Sequence, residues 1–172
     1  MQEIEAIVAQ IAAAFARVPY PGDHCLRNSG EGDEPHLLEE EFKGKSDWRT
    51  LDSKFLDQAP DGYATALSFF THEAFRFYLP AYLIADLRGQ LQRADPVFYL
   101  THGLDESSRA VLINPNRYGE QTWLDYARER FAAITRDQAQ AIVSYLKWKR
   151  DTDSFGRTNI EEALDSYWSA RV

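Results

Sequence analysis

Thr71-His72-Glu73-Ala74-Phe75-Arg76-Phe77-Tyr78-Leu79-Pro80-Ala81-Tyr82-Leu83, with Phe69 and Phe70 just before it, concentrates six aromatic rings in fourteen residues and sets a proline among them. After Thr71 as N-cap, Phe75, Tyr78, Leu79, Tyr82 and Leu83 recur at helical i, i+3, i+4, i+7, i+8 spacing. Phe77, Ala81 and Ile84 add a second apolar face. A helix apolar over most of its circumference is surrounded by its own protein. Pro80 has no N–H for the Arg76 carbonyl and disfavours helical geometry at Leu79, so the spacing predicts a core helix that is kinked or broken there. A pocket beside that kink would draw on His72, Glu73, Arg76, Tyr78 and Tyr82, which offer a few polar groups among apolar walls.

Working outward, Ile4, Ile7, Val8, Ile11 and Phe15 form one helical stripe, stopped by Pro19, Pro21 and Gly22. Pro35 opens a short helix to Phe42 that turns Leu38 and Phe42 inward, and Gly44 ends it. Ser46 reads as the cap of a helix in which Trp48, Leu51 and Phe55 share a face. Pro60-Asp61-Gly62 signals a turn. Between residues 95 and 120 the apolar runs Val97–Leu100 and Ala110–Ile113 are too short to separate strand from buried loop, and one small hairpin is compatible with them. Leu124, Ala127, Phe131 and Ile134 mark the next helix. Thr135 with Gln138, and Thr158 with Glu161, read as capping boxes for the last two. The expectation is a mainly α, single compact domain over residues 1–172, of six or seven helices around the aromatic one.

Two of these segments carry a resemblance. Ala74-Phe75-Arg76-Phe77-Tyr78-Leu79-Pro80-Ala81-Tyr82-Leu83, and later Thr135-Arg136-Asp137-Gln138-Ala139-Gln140-Ala141-Ile142, are similar to segments of a family of bacterial proteins known only as a domain of unknown function. The likeness runs from the middle of the chain to its last helices. It implies no activity, and no site residue is carried over from it.

A net charge of −8 argues against nucleic acid or an anionic membrane as partner and leaves a basic protein compatible. The lone Cys25 excludes an intramolecular disulfide and fits a reducing compartment. Glu3 and Glu5 stand where a signal peptide needs positive charge, and no apolar run is long enough for a membrane span. The expected location is the cytoplasm.

The chemical motifs are incomplete. His72-Glu73 begins a zinc-protease pattern, but Arg76 stands where the second histidine belongs. Asp151, Asp153, Gly156 and Glu162 match a calcium loop, whereas Phe155 replaces a ligand. His24-Cys25 are adjacent and poorly placed for proton transfer; a pair of Cys25 with His36, His72 or His102 stays open in the sequence, and otherwise Cys25 reads as a small buried hydrophobe. Gly103-Leu104-Asp105-Glu106-Ser107 reads as a turn. No phosphate-cradling glycine loop or Gly-x-Ser-x-Gly nucleophile turn occurs, so no catalytic residue, metal or cofactor is expected. The acids Glu31, Asp33, Glu34, Glu39, Glu40 and Glu41 form a dense cluster suited to a solvated face or a basic partner. The expected function is a non-catalytic protein- or peptide-interaction module, in its narrowest form an immunity-type protein that neutralises a basic toxin. The alternative is a small-molecule binder or minor enzyme using the pocket beside Pro80.

Overall fold

The chain forms more helices than its periodicity alone predicts. The structure, a computed structural model, describes residues 2–60 and 66–172. Among these the α-helices are α1 (Gln2–Phe15), α2 (Glu34–Phe42), α3 (Ser53–Gln58), α4 (His72–Leu87), α5 (Pro96–Thr101), α6 (Pro115–Tyr118), α7 (Trp123–Phe131), α8 (Arg136–Thr152) and α9 (Arg157–Ser166). The mainly α expectation holds. The helices beyond six or seven are α5 and α6, of 6 and 4 residues. No sheet forms among the described residues, where the strand-like contacts are the single bridges Arg27–Phe70 and Leu112–Thr122. The chain divides into two compact units, residues 1–96 and 97–172.

In residues 1–96, α4 is the central element. The Thr71 hydroxyl accepts the Ala74 N–H at 3.0 Å, as its N-cap reading requires. The helix then runs through Pro80 without breaking. A proline inside a helix costs about 3 kcal/mol, while each large apolar side chain buried recovers about 1.5–3 kcal/mol. Phe75, Tyr78, Leu79, Tyr82 and Leu83 are all fully buried on either side of it, so continuity wins. The buried residues of α1, Ile7, Val8, Ile11 and Phe15, belong to the helix that packs on α4. The Phe42 ring of α2 meets Tyr78 edge-on at 4.8 Å and Phe70 at 4.9 Å, and Phe70 stacks on Tyr78 at 5.0 Å. The Tyr78 hydroxyl donates to the Lys45 carbonyl at 2.8 Å, which gives this buried polar group a partner.

The helix expected from Ser46 is instead two pieces. Asp47 accepts the Arg49 N–H at 3.0 Å and starts a 3-10 turn, Trp48–Thr50; Asp52 accepts the Phe55 N–H at 2.8 Å and starts α3. Two aspartates that each favour an N-cap leave Leu51 extended between them. The Pro60-Asp61-Gly62 turn falls partly outside the described residues.

In residues 97–172 the Thr135–Gln138 capping box forms as expected, and Thr122 with Asp125 makes another at the start of α7. The expected Thr158–Glu161 box does not form. Gly156, left-handed at φ 76°, turns the chain into α9 at Arg157, which places Thr158 already inside the first turn. Glu162 accepts the Glu106 N–H at 2.8 Å, so the carboxylate at the last position of the calcium-like pattern is engaged elsewhere. The hairpin reduces to one bridge: Ile113 N–H donates to Gln121 and Trp123 N–H to Val111, with α6 between. The closing turn, Trp168–Arg171, packs on α8 and α9. The Trp168 indole N–H donates to the Leu100 carbonyl at 2.8 Å while its ring lies 4.7 Å from Phe131.

Burial makes a direct comparison available. Leu79→Asp places an unpaired charge at a fully buried position of α4 and should cost several kcal/mol, about 3 or more. Glu40→Ala changes an exposed residue and should stay within about 0.5 kcal/mol. Chemical denaturation of both variants measures the gap; similar midpoints would invert the burial assigned to α4.

Candidate functional site

The Val97–Leu100 run forms part of α5 rather than a strand, and this places Phe98 and His102 one helical turn apart. Their rings stack at 4.7 Å with an interplanar angle of 20°. Trp123, at the start of α7, meets the His102 ring edge-on at 4.6 Å. That approach depends on Gly103. A Cβ there would lie 2.4 Å from the Trp123 carbonyl oxygen, and its φ of +88° suits glycine alone.

The turn that follows closes on a buried carboxylate. Asp105, 1% exposed, accepts the hydroxyls of Ser107 and Ser108, each at 2.5 Å, and the Ser108 N–H at 3.0 Å. The Ser108 oxygen in turn accepts the Gly103 N–H at 2.7 Å. Burial pushes the Asp105 carboxyl up, but the two hydroxyls and the N–H outweigh it and hold the group below the ordinary carboxylate range. Ser108 gives its proton to Asp105 rather than to an imidazole, so this is a structural clasp and not an activated nucleophile.

The clasp floors a cleft of about 280 Å³ with Phe98, Val111 and Trp123 as apolar walls and Thr101, Ser107 and Asn159 as polar ones. His102 sits half-buried in it. Burial lowers the imidazole from its ordinary value; Asp105 opposes this and Arg130 reinforces it. A neutral imidazole offers one donor and one acceptor. Among the described residues neither ring nitrogen is hydrogen-bonded, and the imidazole's close neighbours are the Phe98 and Trp123 rings. The unit exposes large apolar side chains: Phe98 46% and Val111 50%, which line the cleft, and Leu112 44% and Tyr118 43%.

The residues expected from sequence lie in the other unit. Tyr78 and Tyr82 are fully buried, Tyr78 among Phe42, Phe70 and Phe77. His72 and Arg76 are half-buried, and burial draws the Arg76 guanidinium down from its ordinary value. Glu73 is exposed, with an oxygen 4.0 Å from the Cys25 sulfur. Cys25 itself is half-buried rather than fully buried, because its segment runs along the start of α4, where the Thr71 hydroxyl donates to its carbonyl at 2.8 Å. A groove does open along α4 one residue after Pro80, at Ala81, but it is lined by none of the five expected residues. The His102 cleft was missed because Gly103–Ser107 reads as an ordinary turn. The available signal was Asp105 followed by Ser107 and Ser108, the side-chain types that close a turn onto its own backbone.

Two outcomes follow from this geometry. Gly103→Ala should destabilise the protein by about 1–2 kcal/mol from the left-handed backbone alone, and by more because the Cβ meets backbone at Trp123; a thermal melt measures it. The depressed His102 value means that the unfolded chain takes up this proton first. Stability from His102 is therefore present above an unfolded pKa of about 6.5 and is lost as pH falls below it. His102→Phe, which keeps an aromatic ring against Phe98, should flatten the melting temperature between about pH 7 and pH 5.

No helix among the described residues is long and apolar enough to cross a membrane. No curated protein and no solved structure matches the chain. A family model does match, over residues 3–172, nearly the whole length. The chain belongs to the family of unknown function DUF6714.

Proposed function

We propose that the protein is a non-catalytic binding module that takes a basic protein or peptide segment, with the His102 cleft and its apolar rim as the contact surface. The observation that carries this reading is the exposure of Phe98, Val111, Leu112 and Tyr118 within one short stretch of chain, with Phe98 and Val111 both walls of the same cleft. Scattered apolar residues are normal on a surface, but clustered ones beside a concavity mark places where another molecule docks.

Charge supports the basic character of the partner. Residues 1–96 contain sixteen Asp and Glu against nine Lys and Arg, and residues 97–172 contain eleven against ten. The negative field therefore arises mainly from the first unit. There Glu31, Asp33, Glu34 and Glu40 are exposed, while Glu39 pairs with Arg27 at 2.7 Å. A near-neutral contact patch in a strongly acidic molecule separates two tasks. The field speeds the approach of a cation, and the apolar cleft holds it.

Selection from a random peptide library on the immobilised protein tests this. Enriched peptides should combine an aromatic or large aliphatic residue with flanking Lys or Arg, and their binding should weaken as salt rises. The double variant Phe98→Ser, Val111→Ser changes two half-exposed side chains and should lose that enrichment while remaining folded, as a cooperative melt and an unchanged helical signal would show. An acidic consensus, or enrichment equal in the variant, would overturn the proposal.

A further inference from the structure

The groove along α4 lies within residues 1–96 and is independent of the docking surface proposed above. It encloses about 440 Å³, within the range of roughly 300–1,000 Å³ typical of small-ligand clefts. Its floor is apolar: Val8 and Ala12 come from α1, Ala81, Ile84 and Ala85 from α4, and Trp48 from the 3-10 turn. Ala81, Ile84, Ala85 and Arg88 recur at i, i+3, i+4, i+7, so one face of α4 supplies both the small side chains that leave the space and a guanidinium at its end.

Two arginines line this apolar channel. Arg49 stands over the Trp48 ring at 4.7 Å, and Arg88 closes the run from α4. Their carboxylate partners are weakly held: Arg49 reaches Asp47 at 3.2 Å and Arg88 reaches Glu5 at 3.4 Å, all four side chains substantially exposed. Surface pairs of this kind contribute little, and a guanidinium retains further donors for a second carboxylate. Asp52 also lines the groove, but one of its oxygens is committed to the Phe55 N–H as the cap of α3. The lining itself carries Arg49 and Arg88 beside Asp52, with Asp47 and Glu5 as the exposed partners of the two arginines.

We propose that this groove binds a small amphipathic carboxylate, a single anionic head on an acyl or aryl body, with the head held by Arg49 or Arg88 and the body lying over Ala81, Ala85 and Trp48. The volume favours a small molecule over a docked helix, because a specific protein contact needs on the order of 1,200 Å² of buried surface. Trp48 is 4% exposed and fixes one wall before any ligand arrives, so little ordering is required on binding.

Calorimetric titration with octanoate, octanol and octylammonium tests the proposal on the full chain. Octanoate should bind at one site, octanol more weakly, and octylammonium not at all. Arg49→Gln with Arg88→Gln, both at exposed positions, should weaken octanoate about tenfold or more, as the loss of charge-assisted hydrogen bonds requires. Ala12→Leu, at a half-buried position of the same lining, should fill the groove and abolish octanoate binding with the fold intact. Equal binding of all three probes, octanoate binding unchanged in the double arginine variant, or an amphipathic helical peptide displacing octanoate while binding more tightly through this groove would each overturn it. Neither arginine belongs to the His102 cleft, so failure here leaves the peptide-docking proposal standing.

Discussion

A helix that is apolar on nearly every side has to be covered on nearly every side, and α4 imposes that requirement on residues 1–96. Eleven of its sixteen residues are buried, so the flanking segments are arranged by what α4 needs. The stripe of α1 packs on it, α2 brings Phe42 to Tyr78 and Phe70, and the turn at Trp48 together with α3 closes further sides. Aromatic rings suit this task because edge-to-face contacts fill space without demanding hydrogen bonds. Of the polar groups they bring here, the Tyr78 hydroxyl finds the Lys45 carbonyl. The same requirement explains why Pro80 does not end the helix: burial on both sides of it exceeds the cost of one missing backbone bond.

Where covering is incomplete, space is left. On the far half of α4 the side chains include Ala81 and Ala85, which with Val8 and Ala12 of α1 line an open groove. The guanidiniums of Arg49 and Arg88 stand at that gap because long charged side chains can cover apolar surface while their heads remain in water.

The second unit rests on different physics. Two of its helices, α7 and α8, are started by side-chain caps, at Thr122 and Thr135, and its loop is tightened by Asp105. Three donors from Ser107 and Ser108 hold the buried Asp105 carboxyl below the ordinary carboxylate range, and the Gly103 N–H, on a backbone that passes close to Trp123, fixes the Ser108 oxygen in turn. This clasp positions His102 between Phe98 and Trp123 and keeps the walls of the cleft in register.

Much of the helical content was legible in the chain because a 3.6-residue period and short capping signals are local properties. The stripe of α1, the Thr71 cap, the short helix after Pro35 and the Thr135–Gln138 box all depend on residues within a turn or two of each other. Misreadings arose where two local signals compete: Asp47 and Asp52 split one expected helix, and Gly156 starts α9 ahead of Thr158. The division at Pro96 falls at the start of a short helix rather than in a glycine- or serine-rich linker, so composition does not mark it. Aromatic density correctly marked a centre of burial, but burial and accessibility exclude one another: the tyrosines that made the Pro80 segment stand out are spent on packing. The cleft and the groove are built from residues that carry no motif, such as Phe98, Val111, Ala81 and Arg88. Sequence determined which segments become helices and which faces turn inward. Only tertiary structure decided where the covering fails, because a cavity is set by the sum of side-chain volumes from segments far apart in the chain, and no local pattern records that sum.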